Sequence, residues 1–329
     1  MSVVIVNWNG LHHLQDCLRS LRACDTRLQI IVVDNGSTDG SVAFLEQQDD
    51  VELVAKPSNL GFAEGNNVGI QRTTGEFVLL LNNDTIATPK FLAPLLEAMQ
   101  DPKVGACQCK TLTTTTPPMI DAYGSCLTWT GFLLHHKYGQ PDVPETPPFE
   151  IFAAKAAALL LRRTALDGAG EFDPDFFAYL EDSDLSWRLW LAGWKILCVP
   201  KSVVYHVAGA TARTLPSEVV MFHSYKNRIS MLVKNLSPVG LVRIVPVHVA
   251  LTLGLTMVYA AWGKFPQAKG IARALLWNAS HAGETLRKRR HVRRTVQKTT
   301  DRELRDLMMC PIKISWFYYA LTGLERYRE

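Results

Sequence analysis

Four short strand-like runs in the first 81 residues, apolar almost throughout, constrain the fold more than any other feature: Val3 to Val6, Gln29 to Val33, Val51 to Ala55 and Phe77 to Leu81. Between them the spacing turns helical. Leu11, Leu14, Leu18 and Leu21 recur on one face, Val42, Phe44 and Leu45 begin a second helix, and Asn66 to Arg72 reads as a third. Strands without polar alternation, separated by helices, predict an α/β domain whose mostly parallel sheet is covered on both faces. Three of the runs halt at polar clusters: Asn7-Trp8-Asn9-Gly10, Asp34-Asn35-Gly36-Ser37-Thr38-Asp39-Gly40 and Asn82-Asn83-Asp84. Those are carboxyl ends of strands, where open parallel sheets bind their ligands.

Beyond Lys110 the periodicity dissolves into threonines, prolines and paired histidines as far as Glu150, a length that predicts a functional loop or lid. Order returns with the apolar run Ala156 to Leu161, which suits a helix or a strand. A helix follows through Trp187, Leu189, Trp190 and Leu191, then a last strand, Lys195 to Val199, ahead of Val203-Val204-Tyr205-His206.

The 47% apolar and 20% charged content of these 329 residues excludes a disordered chain. Seven scattered cysteines predict thiols in a reducing compartment rather than bridges, and Cys107-x-Cys109 has no second pair to complete a zinc site. The start at Met1 has no basic segment before its apolar run, so it does not read as a signal peptide. A formal charge of +4 hides an asymmetry. Residues 1–210 carry 15 basic against 24 acidic side chains, and residues 211–329 carry 20 against 7.

Three clusters have the chemistry for a nucleotide-sugar site. Asp34, with Ser37, either hydrogen-bonds a base and ribose or closes an Asx-type turn or helix cap. Asn82-Asn83-Asp84 offers one carboxylate and two amide oxygens, ligand types that suit Mg2+ or Mn2+, and His206 is either a further ligand or a structural histidine. Glu181-Asp182-Ser183-Asp184, after the aromatic run Phe176 to Tyr179, holds more carboxylates than a helix cap requires. Their repulsion and burial raise at least one pKa toward a value useful for a general base.

In order and spacing, Val4-Ile5-Val6-Asn7-Trp8-Asn9, Val33-Asp34-Asn35-Gly36-Ser37-Thr38-Asp39, Asn59-Leu60-Gly61-Phe62-Ala63-x-Gly65-Asn66-Asn67, Leu81-Asn82-Asn83-Asp84, Glu181-Asp182-x-Asp184-Leu185 and Tyr205-His206 resemble the family 2 glycosyltransferases. The likeness spans roughly residues 2–235 and is strongest to the bacterial rhamnosyltransferase-like branch that builds surface polysaccharides. It implies a GT-A fold, Rossmann-like with flanking helices, a nucleotide-diphospho-sugar donor, a divalent metal and an inverting mechanism. By motif, Val6 and Trp8 would border the base, Asp34 would bind it, and Asn66 would lie near the diphosphate. Asn83 would lie near the ribose, Asp84 and His206 would reach the metal or diphosphate, and Asp182 would be the general base. Lys155-Ala156-Ala157 departs from the small Ser-Gly-Ala type segment that the resemblance leads one to expect there.

The implied activity is transfer of a sugar, rhamnose from dTDP-rhamnose, to a polyprenyl-diphosphate-linked saccharide, with UDP-galactofuranose or a UDP-hexose as alternative donors and a non-catalytic nucleotide-sugar scaffold as the alternative class. The chain is expected to divide into a catalytic domain, 1–235, and a basic helical extension, 236–329. Ile244 to Trp262 is 19 residues without a formal charge, close to a bilayer span. Pro246 interrupts its start, however, and His248, Thr252 and Thr256 give it a polar stripe. A single span would also put the basic run from Arg287 to Arg294 on the side opposite the catalytic domain, against the positive-inside tendency. The expectation is therefore a helix lying in or dipping into the interface at the cytoplasmic face of the inner membrane, held to anionic lipid by the basic run; Trp316-Phe317-Tyr318-Tyr319 suits either the headgroup level or core packing. No nucleic-acid motif accompanies the basic run.

Overall fold

In a computed structural model, residues 1–311 are described except 25, 145 and 208–214, so the aromatic run at 316–319 lies outside the described residues. The apolar runs form one sheet, buried on both faces at β1, β2 and β4 and partly exposed at the edge strand β3. β1 (Ser2–Asn7) pairs in parallel with β2 (Gln29–Asp34) and with β4 (Phe77–Leu81), while β3 (Val51–Ala55) adds beyond β2. The intervening helices are α1 (Leu11–Arg22), α2 (Ser41–Leu45) and α3 (Gly61–Ile70). α1 buries Leu14, Cys17, Leu18 and Leu21.

α3 begins five residues before the expected start at Asn66. Its buried face is built of Gly61, Ala63, Gly65 and Gly69, small residues that carry no apolar periodicity. They let the helix lie directly on β1: a Cβ added at Gly69 would stand 2.3 Å from Val4 Cγ1, and one at Gly65 2.9 Å from Val6 Cγ1.

After β5 (Thr85–Ala87) and α4 (Leu92–Ala98), the expected lid is replaced by sheet. β6 (Val104–Thr113) is followed by β7 (Ile120–Ala122), β8 (Ser125–Thr128), β9 (Leu133–His135) and β10 (Phe149–Glu150). β6 escapes a reading of periodicity because it buries Gln108, Lys110 and Thr111 along with its apolar residues. Lys110 is accommodated by Asp142 at 2.7 Å. β11 (Ala158–Arg162) runs antiparallel between β4 and β6, so the sheet is mostly, not wholly, parallel. α5 (Arg163–Ala169) and α6 (Glu181–Leu191) lead to β12 (Lys195–His206), parallel to β6 and longer than the expected Lys195–Val199. The sheet order is β10-β12-β6-β11-β4-β1-β2-β3.

Among the described residues the longer helices that follow are α7 (Ser217–Asn235), α8 (Pro238–Ala261), α9 (Phe265–Ser280) and α10 (Ala282–His291). The core continues through them, since Leu236, Ile244, Val292, Val296 and Met308 share one cluster with Trp187 and Leu189. α8 runs unbroken through Pro246, contrary to the expected interruption. Its polar stripe faces protein: His248 and Thr252 are fully buried, and His248 Nδ1 donates to the Thr130 carbonyl at 2.8 Å.

Two expectations need correction. Cys126 and Cys310 form a disulfide, brought together when β13 (Met309–Cys310) pairs with β8 across 184 residues of sequence, a proximity no spacing rule reveals. The other described cysteines are thiols, and burial pushes Cys107 and Cys109 up to about 12. The basic run, second, is only partly a free charged face. Lys288 ion-pairs with Asp173 and Asp175 at 2.5 Å, Arg289 donates to the carbonyls of Val233 and Leu236 at the end of α7, and Arg293 donates to Asn235 O. Arg287, Arg290 and Arg294 remain exposed.

Candidate active site

A cavity of about 650 Å3 opens at the carboxyl ends of β1, β2 and β4, a size suited to a nucleotide-sized ligand. Val6, Trp8, Asn35 and Asn59 line one end and Asn82, Asn83 and Asp84 the middle. Asp121, His135, Tyr138, Lys155, Glu181, Asp182 and His206 line it too. Of the residues expected at the site, Val6, Trp8, Asn83, Asp84, Asp182 and His206 therefore converge.

Asp34, Ser37 and Asn66 do not line it. Asp34 is fully buried and accepts from Asn7 Nδ2 at 2.8 Å and from the Ser37 backbone N–H at 2.8 Å. Ser37 Oγ accepts from the Asn9 N–H. Asn66 donates back to Phe62 O within its own helix. Asp34 thus plays the turn-closing role, and its influence reaches the cavity through Asn7, whose Oδ1 accepts from Asn83 Nδ2 at 2.7 Å. Asn35 and Asn59, adjacent in motif but not singled out by the sequence, line the cavity instead.

β12 carries His206 to the same level as the end of β4. Its Nε2 lies 3.1 Å from Asp84 Oδ1 and its Nδ1 2.9 Å from Asp121 Oδ2. Burial pulls the imidazole pKa down, but the two carboxylates outweigh it and raise it to about 9. In turn, Asp121 resists the burial that would raise it and is held down to about 2 by His206 and Lys155. Asp121 is the principal residue that sequence reasoning missed; its signal was a lone carboxylate between Ile120 and Ala122 in a segment otherwise read as loop.

The donor set suits a hard divalent cation. Asp84 would supply a carboxylate and His206 Nε2, once it gives up the proton shared with Asp84, an imidazole oriented by Asp121 from behind, the usual outer-shell arrangement. Asn82 Oδ1 is buried without a partner, beside an amide nitrogen 3.3 Å from His206 Nε2. Among the described residues no three His, Cys, Asp or Glu side chains converge on one point, so a cation here would keep other ligands from water or substrate.

The acidic motif divides its labour. Asp184, fully buried, accepts from Arg188 Nε at 2.9 Å, Lys234 Nζ at 2.9 Å and Asn235 Nδ2 at 2.8 Å, and so anchors α6 to α7. Glu181 is buried, and desolvation with the nearby Asp182 charge pushes its carboxyl well above the ordinary range; its Oε2 has no partner. Asp182, half-buried at the cavity, is also raised by desolvation, against the pull of the Ala156 N–H at 3.0 Å and the Ser183 N–H at 2.6 Å. Those donors make Asp182 the member of the pair that ionises first.

The sequence profile of Glycosyl transferase family 2 matches residues 2–142, and that of Glycosyl transferase family group 2 matches residues 77–219. The chain is 28% identical over 254 residues to N-acetylglucosaminyl-diphospho-decaprenol L-rhamnosyltransferase of Mycobacterium tuberculosis, covering 68% of this chain and 81% of that protein. The chain belongs to the family 2 glycosyltransferases. A second relative of this glycosyltransferase, the O-antigen biosynthesis protein RfbC of Myxococcus xanthus, is 30% identical over 198 residues, 56% of this chain but only 15% of its own length. The fold is GT-A-like. It superposes on mannosyltransferase PcManGT from Pyrobaculum calidifontis, in complex with GDP-Man and Mn2+, with a TM-score of 0.51 at 17% identity, covering 88% of this chain and 84% of that one.

Proposed function

We propose that this glycosyltransferase transfers rhamnose from dTDP-rhamnose, with inversion, to a saccharide carried on a polyprenyl diphosphate, in the assembly of a bacterial surface polysaccharide. One observation carries the reading: Asp182 stands at the cavity that Asp84 and His206 also face, so a base and a diphosphate-binding group share one chamber. Inverting transfer is a single in-line displacement, needing a base for the acceptor hydroxyl and stabilisation of the departing diphosphate. Asp182 takes the proton from the acceptor oxygen. Val6 and Trp8 flank the base of the donor, and Asn83 is fixed by Asn7 to meet the ribose. Asp84, His206 and Asn82 would hold Mg2+ or Mn2+, which supplies Lewis acidity toward the leaving diphosphate. The rhamnosyl donor and the lipid-linked acceptor are supported by the name of the mycobacterial relative.

Purified protein is expected to release nucleoside diphosphate from one member of a panel of dTDP-rhamnose, UDP-galactofuranose and UDP-glucose. Preference for a UDP-sugar would overturn the rhamnosyl reading, and silence with every donor would favour a binding scaffold. EDTA is expected to abolish release and Mn2+ to restore it; release that survives EDTA would overturn the metal assignment.

The seat at a membrane surface rests on α8 and α9. α8 is long and apolar enough to cross a bilayer and is largely exposed. Val242 is 77% exposed, Met257 68% and Phe265 67%, with Leu253 and Trp262 also half exposed. Spanning would tear buried His248 from Thr130, so the helix lies along the surface and presents this outer face to lipid. Exposed Arg287, Arg290 and Arg294 suit the anionic cytoplasmic leaflet. Burying one such apolar side chain is worth about 1.5–3 kcal/mol. The triple variant Leu253→Asp, Met257→Asp, Phe265→Asp is therefore expected to lose at least ~100-fold in affinity for phosphatidylglycerol vesicles by co-sedimentation. Unchanged binding would exclude this face.

A further inference from the structure

Between Pro174–Phe176, a single 3-10 turn, and α6 the backbone bends through three left-handed positions, none of them glycine: Phe177 at φ +60°, Tyr179 at +73° and Leu180 at +68°. Such conformations cost about 1–3 kcal/mol each and persist only where the surroundings over-determine them. The bend sets the entry of α6, because Leu180 is the residue before Glu181 and Asp182. It also reaches the donor side. The Phe177 carbonyl accepts from the Ala63 N–H at 3.1 Å, and its ring packs where a Cβ at Gly61 would stand, 2.5 Å away.

A side chain from a different element grips this bend. Asn227, fully buried on α7, directs its amide nitrogen at three carbonyls: Phe176 O at 2.8 Å, Ala178 O at 2.8 Å and Tyr179 O at 2.7 Å. Two N–H groups are thus shared among three acceptors. α7 holds the flanks as well. Lys226 Nζ donates to Asp175 O, Lys234 Nζ reaches Asp173 and Asp184, and Asn235 donates to Asp184. The ends are fixed by charge; the middle, which carries the strain, is fixed by Asn227.

We propose that Asn227 is a positioning residue for Asp182: by holding the carbonyls of 176–179 in the left-handed bend, it sets the place of the base at the cavity. The inference rests on the reading of Asp182 as the base. Asp182 keeps its stance through the Ala156 N–H, 3.0 Å away across the cavity wall, and a relaxed bend would move α6 relative to that donor. A displacement of about 1 Å costs on the order of 100-fold in rate.

The test compares Asn227→Asp, which keeps the shape but removes the donors, and Asn227→Ser, which keeps one, with Asn278→Ala. Asn278 also bonds α7, to Lys226 O at 3.1 Å and to Ser230 Oγ at 3.0 Å, but not the carbonyls that Asn227 holds. Hydrogen exchange of the amides of residues 177–182 is read first. It is expected to accelerate at least ~10-fold in Asn227→Asp, less in Asn227→Ser, and not in Asn278→Ala. With the donor that the wild type turns over, kcat should fall roughly 100-fold in Asn227→Asp at nearly constant donor KM. The acid limb of the pH profile should move to higher pH, because a carboxylate that loses an N–H donor is protonated more readily. Unchanged exchange overturns the inference whether or not a donor has been found. So does a kcat loss no greater than that of Asn278→Ala at matched thermal stability. If the wild type turns over no donor, the glycosyl-transfer reading fails, and exchange alone then decides whether Asn227 holds the bend.

Discussion

Asp182→Asn is expected to lower turnover at least ~100-fold while leaving nucleotide binding within twofold of wild type. The substitution keeps the size of the side chain and leaves one oxygen to accept from Ala156 or Ser183, so the entry of α6 should survive. What it removes is the capacity to take a proton, which is the role proposed for Asp182. Val6, Trp8 and Asn83 touch none of its hydrogen-bond partners, so donor affinity by calorimetry should be preserved. The same residue fixes the pH dependence. Its pKa is raised by desolvation, so the active ionised form is lost as pH falls through a value above that of a free aspartate. The acid limb of kcat should therefore lie higher than for an exposed carboxylate, and it should vanish from whatever residual rate Asp182→Asn retains. Wild-type turnover in that variant would sink the assignment.

Two residues later the expected result is of a different kind. Asp184→Ala is expected to destabilise the fold by about 3–5 kcal/mol, because removing one member of a buried ionic group leaves the others uncompensated. Arg188 would keep its bonds to the carbonyls of Ala169, Gly170 and Glu171, and Lys234 would keep Asp173, but Asn235 would lose its carboxylate partner and the link between α6 and α7 would break. A fall in Tm of roughly 4–7 °C follows for a chain of this size. Thermal unfolding followed by circular dichroism checks it. A loss under about 1 kcal/mol would mean that the cluster contributes little to the joint. The contrast with Asp182 is informative because both residues belong to one four-residue motif, and only their surroundings separate a base from an anchor.

How much of this was legible follows from the range of the forces involved. The parallel strands were readable because burial on both faces writes itself into consecutive apolar residues, as at Phe77 to Leu81. β6 was not, because its Gln108 and Lys110 are buried with partners far along the chain, and a buried pair such as Lys110 with Asp142 leaves no local pattern. The start of α3 was hidden for the opposite reason: close approach to β1 selects glycine, and glycine reads as a breaker. Asp34 had two readings, ligand or turn closure; its bonds to Asn7 and Ser37 close the turn and leave it outside the cavity lining.

From the sequence alone came the α/β class, the polar clusters at the strand ends, the acidic motif with a raised carboxyl, and the opposite charges of the two halves. All of these are properties of neighbouring residues. Tertiary structure decided which carboxylates line the cavity, Glu181 and Asp182, and which is locked to Lys234 and Asn235. It paired His206 with Asp121 as well as Asp84, joined Cys126 to Cys310, and drew half the basic run back onto α7 and its acidic neighbours. Each of those outcomes depends on a partner tens to hundreds of residues away, and the Coulomb and hydrogen-bond energies that settle them exist only once the chain has closed the distance.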